Sequence, residues 1–94
     1  MNTPITPLPD VTVYSKRNCA GCHATYRTLR QLGIPFTGID VEVIDGAADR
    51  VRELGYTSLP VVVVESIGVA NGETWSGFRP DRLRTLVPKV GDAA

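Results

Sequence analysis

The sequence predicts an α/β fold: one four-stranded mixed sheet flanked by helices, in the order βαβαββα. Three observations predict it. Apolar spacing switches along the chain between the period of a strand and that of a helix. The valine run 61–64 does not alternate, as expected of a central strand covered on both faces. Asn71-Gly72 is a strong hairpin signal, so the strands flanking it should pair directly. A βαβ unit followed by a hairpin gives a sheet with parallel and antiparallel pairs.

Each element has a local reason. Val11-Thr12-Val13-Tyr14 alternates and is rich in β-branched residues, a first strand. Ser15 to Asn18 is a polar loop. From Cys19, the residues Cys22, Tyr26, Leu29 and Leu32 fall on one helical face, and Gly33 and Pro35 end the helix. Residues 36–43 alternate again, a second strand. Asp45-Gly46 turns the chain into a short amphipathic helix carrying Ala47, Val51 and Leu54, closed by Gly55. Pro60 opens the third strand, and Glu73 to Ser76 is the returning strand. Gly77-Phe78-Arg79 is a junction. Pro80 suits the first position of a last helix with an apolar face of Leu83, Leu86 and Val87, which Pro88 stops before Val90. The expected limits are a Pro-rich lead-in over 1–10, a domain over 11–88 and a tail over 89–94.

Composition bounds the function. A chain of 94 residues holds one domain. Ten Lys and Arg balance ten Asp and Glu, which argues against a general nucleic-acid binder. The longest unbroken apolar run is Val61 to Val64, so no membrane span is expected. Residues 1–10 carry no basic residue and no apolar stretch of the secretory type, so the expected compartment is the cytoplasm. There a cysteine pair reads as chemistry rather than as a structural staple.

The pair is Cys19-Ala20-Gly21-Cys22, a C-x-x-C between a strand and a helix. In a cytosolic α/β chain this is a redox motif. Cysteines three apart on a first helical turn can close a disulfide without unfolding anything. Cys19 sits at the helix N-terminus, where free amides and the macrodipole favour an anion, so its thiol pKa is lowered. Lys16 and Arg17 just upstream add to that field. Cys22 lies on the apolar face, one turn in. Cys19 is therefore the candidate attacking thiol and Cys22 the resolving one.

Other readings use the same residues. Cys19 to His23 spells C-x-x-C-H, the attachment pattern of c-type haem. That chemistry wants an exported chain and a second axial ligand, and only Met1 and His23 are available. A structural zinc wants four ligands, and two cysteines with one adjacent histidine fall short. A plain core role suits Cys22 alone but not both cysteines at a strand-to-helix junction. No metal or cofactor is therefore expected, and His23 is expected on the solvent side of the first turn, without a catalytic role.

Three stretches go beyond the C-x-x-C. They are Val13-Tyr14-Ser15-Lys16 with Cys19 to Thr25, then Leu59-Pro60-Val61-Val62, then Trp75-Ser76-Gly77-Phe78-Arg79-Pro80-Asp81. In these, residues 11 to 87 resemble the thioredoxin-like fold of the glutaredoxin type, and within it the NrdH redoxins. The resemblance implies a thiol–disulfide oxidoreductase acting as an electron-carrier protein. It implies electrons from thioredoxin reductase and NADPH, and delivery to class Ib ribonucleotide reductase. It implies a cis Pro60, with Leu59 offering its backbone to a partner. It implies that Lys16, Trp75, Ser76, Gly77, Phe78 and Arg79 surround the partner site, with Phe78 mainly core, Trp75 mixed in role, and Arg79 tying the turn to neighbouring carbonyls. Ser76-Gly77-Phe78 stands where a glutathione-dependent glutaredoxin, the alternative reading, carries its tripeptide site. A monomer is expected.

Overall fold

A computed structural model describes residues 9–65 and 72–87. The turn residue Asn71, the preceding loop, most of the lead-in and the tail expectation lie outside the described residues. The elements are β1 (Asp10–Ser15), α1 (Ala20–Leu32), β2 (Thr37–Asp40), α2 (Ala47–Glu53), β3 (Val61–Glu65), β4 (Glu73–Ser76) and α3 (Pro80–Arg84). This is the expected order. The strands form one sheet, β2-β1-β3-β4. β1 runs parallel to β2, with Thr12 opposite Thr37 and Ser15 opposite Asp40. β3 is antiparallel to both its neighbours, with Val13 opposite Val62 and Val62 opposite Trp75.

That register decides the core. Val11 and Val13 of β1, Val62 and Val64 of β3 and Trp75 of β4 point to one face, where they meet Leu29, Ile34, Leu83 and Leu86. Burying each such aliphatic side chain contributes about 1.5–3 kcal/mol. α1 and α3 pack against one another over this face. α2 serves the other face: Ala47 and Val51 are buried outside that cluster, and Tyr56 just beyond α2 bonds the Thr74 hydroxyl at 2.8 Å.

Three boundaries differ from the expectation. β2 stops at Asp40, because the Asp40 carboxylate accepts the Glu42 amide at 2.8 Å and its carbonyl accepts the amides of Val43 and Ile44. That closed turn takes the chain out of the sheet, and Val43 ends exposed. Leu54 caps α2 rather than extending it. α3 ends at Arg84, so Leu86 reaches the core from a final turn while Val87 is 38% exposed.

Tyr26 ties α1 to the functional end of the sheet. Its hydroxyl bonds Ser15 Oγ, its ring stacks on Phe36 at 5.1 Å, and the Arg30 guanidinium lies 5.9 Å from the ring centre. Gly38 makes room for it: a Cβ there would stand 2.7 Å from the tyrosine oxygen. Exchanging a strand glycine for alanine normally gains about 0.5–1 kcal/mol. Here the overlap outweighs that gain. Gly38→Ala is expected to lower unfolding free energy by about 1–2 kcal/mol in urea titration, by displacing Tyr26 from Ser15 and Phe36.

Candidate redox site

The site starts at the cap of α1. Cys19 is the N-cap, with extended backbone (φ −121°, ψ 103°), and its carbonyl accepts the His23 amide at 3.1 Å. The turn before it places Asn18 at φ 56°, a left-handed conformation that asparagine tolerates better than most residues. The Cys22 amide donates to Cys19 Sγ at 3.1 Å. A capping position usually holds an oxygen from Ser, Thr, Asp or Asn; here a sulfur takes that place. The two cysteines form a disulfide, with Cα atoms 5.2 Å apart.

The two sulfurs differ in access. Cys22 is 1% exposed, on the buried side of α1, and Cys19 is half-buried at the surface. A partner can reach Cys19 only. His23 is exposed beside them, as expected.

Two further segments close around the pair. The Leu59-Pro60 peptide is cis and Pro60 is fully buried. Gly21 lies directly against it: a Cβ on Gly21 would sit 3.3 Å from the Pro60 ring and 3.8 Å from Phe78 Cβ. The Pro60 carbonyl accepts the Gly77 amide at 2.8 Å, and Ser76 Oγ donates to the Ser58 carbonyl at 3.0 Å. The C-x-x-C turn, the Ser58–Pro60 loop and the Ser76–Phe78 junction thus form one surface. Leu59 is half-buried within it.

The two aromatic residues of the junction stand the opposite way round from the expectation. Trp75 is core, 4% exposed, with the Arg82 guanidinium 5.5 Å from its ring centre. Phe78 is 39% exposed, beside Gly21. Alternation along β4 points Trp75 at the α1–α3 face, and the turn at Gly77 (φ 90°) then carries Phe78 out to the cysteines. Trp75 therefore supports the site from beneath and offers no surface to a partner. Arg79 also differs. It bonds the Asp81 carboxylate at 3.2 and 3.4 Å rather than neighbouring carbonyls. Lys16 and Arg17 are exposed and take part in no ion pair among the described residues.

The spacing alone did not single out Ser58 or Thr25. Ser58 pairs with Ser76 through tertiary placement. Thr25 donates its hydroxyl to the Gly21 carbonyl at 2.8 Å; its signals in the sequence are a β-branched polar residue on an otherwise apolar helix face and its place at the end of the Cys19 to Thr25 stretch. Among the described residues, no group of histidine, cysteine and carboxylate side chains is placed to hold a metal ion, and no helix is long and apolar enough to cross a membrane.

Comparison with known proteins agrees with this geometry. The glutaredoxin family model matches residues 11–67. The glutaredoxin-like protein NrdH of Salmonella typhimurium is 38% identical over 78 residues, covering 83% of this chain and 89% of that protein. NrdH of Lactococcus lactis is 33% identical over 76 residues, covering 81% and 97%. The solved structure of the Escherichia coli NrdH-redoxin, described as the basis of that protein's thioredoxin-like activity profile, superimposes with a TM-score of 0.72 at 38% identity, covering 84% of this chain and 96% of that one.

The Arg79–Asp81 pair gives a local test. The hydrogen bonds from Arg79, more than its charge alone, hold the Asp81 carboxyl below the ordinary 3.8. A depressed carboxyl favours the folded state above its unfolded midpoint and loses that contribution as pH falls through the lower folded midpoint. NMR titration should find the Asp81 midpoint below 3.8 in the native chain and higher in Arg79→Gln than in the native chain.

Proposed function

This chain belongs to the glutaredoxin family, in its NrdH group, and on that premise we propose that it is a dithiol electron carrier reduced by thioredoxin reductase and oxidised by class Ib ribonucleotide reductase. The observation that carries the reading is the unequal access of the pair: a half-buried Cys19 at a helix cap above a buried Cys22. An attacking thiol has to meet a partner sulfur, and a resolving thiol has to stay out of reach of other partners.

The chemistry follows from that placement. In the reduced carrier the Cys19 thiolate attacks one sulfur of the partner disulfide. A new bond joins Cys19 to that sulfur, and the other partner sulfur leaves as a thiolate and takes a proton. Cys22, as thiolate, then attacks Cys19 Sγ. The intramolecular disulfide forms, and the second partner sulfur leaves and is protonated. The partner gains the electron pair that the carrier loses. Reduction by the reductase runs the same exchange backward, with NADPH as the ultimate donor.

The choice of thioredoxin reductase over glutathione rests on two supports. One is the thioredoxin-like activity profile printed for the Escherichia coli relative. The other is Ser76-Gly77-Phe78, which puts an apolar ring where a glutathione-dependent protein holds its tripeptide site. Exposed Lys16 and Arg17, in no ion pair among the described residues, add positive potential beside Cys19, and Leu59 offers its backbone to an incoming segment. The reading places a monomeric carrier without cofactor in the cytoplasm.

The test is a coupled assay following NADPH. Turnover is expected with thioredoxin reductase and the class Ib enzyme, and none with glutathione and glutathione reductase; the reverse pattern would return the chain to the glutathione-dependent class. Cys19→Ser is expected to abolish transfer. Cys22→Ser should accumulate a mixed disulfide with the acceptor, visible as a mass increase on a non-reducing gel. Loss of that adduct in Cys22→Ser would overturn the assignment of roles.

A further inference from the structure

Thr25 is fully buried in α1, between Cys22 one turn before it and Leu29 one turn after. Threonine is a modest helix former, and burying a hydroxyl is costly unless it is bonded. Its hydroxyl donates to the Gly21 carbonyl at 2.8 Å. The helical ladder already supplies that carbonyl with the Thr25 amide, so the helix itself does not need this bond. The Gly21 carbonyl and the Cys22 amide belong to one peptide group. In the disulfide-bonded chain that amide donates to Cys19 Sγ at 3.1 Å. Hydroxyl, peptide and sulfur therefore lie in one directed chain, with every positive dipole end toward the sulfur.

We propose that Thr25 is a positioning residue for the attacking thiol: by bonding the Gly21 carbonyl it strengthens and aims the Cys22 N–H that stabilises the Cys19 thiolate. Hydrogen bonds in series polarise one another, each by about 10–30%. The effect is largest where the peptide is shielded from water, and Thr25 and Cys22 are both buried. The charged and titratable side chains on the elements around Cys19 are Lys16 and Arg17 in the loop, Cys22 and His23 on the helix, and the Arg79–Asp81 pair at the junction. The Ser58–Pro60 loop contributes none. A change at Thr25 alters none of these, so it isolates the hydroxyl.

The proposal rests on Cys19 being the attacking thiol, and the experiment needs no redox partner. The reduced full chain is titrated by thiolate absorbance near 240 nm, and its iodoacetamide reaction is followed against pH. Thr25→Val removes the hydroxyl and keeps the shape. The Cys19 midpoint is expected to rise by about half a unit. Alkylation at neutral pH should slow only about twofold, because a more basic thiolate is also a better nucleophile. Thr25→Ser keeps a hydroxyl and should restore the native midpoint. The Cys22 amide proton should move upfield in Thr25→Val and not in Thr25→Ser. Thr25→Ala, a better helix former, serves as the second hydroxyl-free variant if Thr25→Val does not fold. An unchanged midpoint in the hydroxyl-free variant, or an equal shift in Thr25→Ser, would overturn the proposal and leave Thr25 a packing residue. Peptide mapping of the alkylated sulfur separates the two levels. First modification at Cys22 overturns the Cys19 assignment and this proposal with it. Failure to turn over with thioredoxin reductase, with the Cys19 shift intact, overturns only the choice of partner.

Discussion

The contact between the first turn of α1 and the Pro60 ring holds the redox surface together. Gly21 has no side chain, so the backbone of the C-x-x-C can lie against Pro60 with no room for even a comfortable methyl group. Pro60 in turn accepts the Gly77 amide, and that bond fixes where the chain leaves β4. Phe78 follows from that exit, and it arrives beside Gly21. Three segments far apart in the chain are thereby locked into one face, with Cys19 at its edge. An intervening glycine costs helix propensity, roughly 1 kcal/mol relative to alanine, and the close approach is what that cost provides.

Electrostatics within the turn then separates two chemically identical thiols. Cys19 takes the place of a capping oxygen, so it receives an amide that a helix end would otherwise leave without a partner. Cys22 is buried against the core. On the proposed reading, this difference in surroundings, rather than any special side chain, sets the order of attack. The Thr25 bond extends the same chain of dipoles from inside the helix.

The rest of the fold keeps that helix end in place. Valines of β1 and β3 and the Trp75 ring form a floor on which α1 and α3 rest. At the functional end Tyr26 links α1 to Ser15, where β1 enters the reactive loop. The opposite face carries the short α2 and a Tyr56–Thr74 bond. The heavily packed face is thus the one that bears the reactive helix. Within the disulfide there, Cys22 is anchored in the core and Cys19 sits at the rim.

The order of elements, the four strands, the α1 face and the reactive pair were all legible in the residues, because each rests on short-range spacing: period two, period three-to-four, or C-x-x-C at a helix start. The family stretches marked Pro60 as cis and the junction as part of the site. Other features were not legible. The end of β2 depended on Asp40 closing a turn upon itself. The exchange of places between Trp75 and Phe78 depended on which face of β4 met the helices and on the direction the chain took at Gly77. Arg79 found Asp81 because α3 starts at that point. The peptide chain from Thr25 to Cys19 depended on one hydroxyl rotamer inside a buried helix. By itself the sequence determined which residues carry the redox chemistry, since a thiol pair at a helix cap is a local arrangement. Only the tertiary structure decided which aromatic ring, which loop and which peptide dipole surround it, since those depend on register and close approach between distant segments.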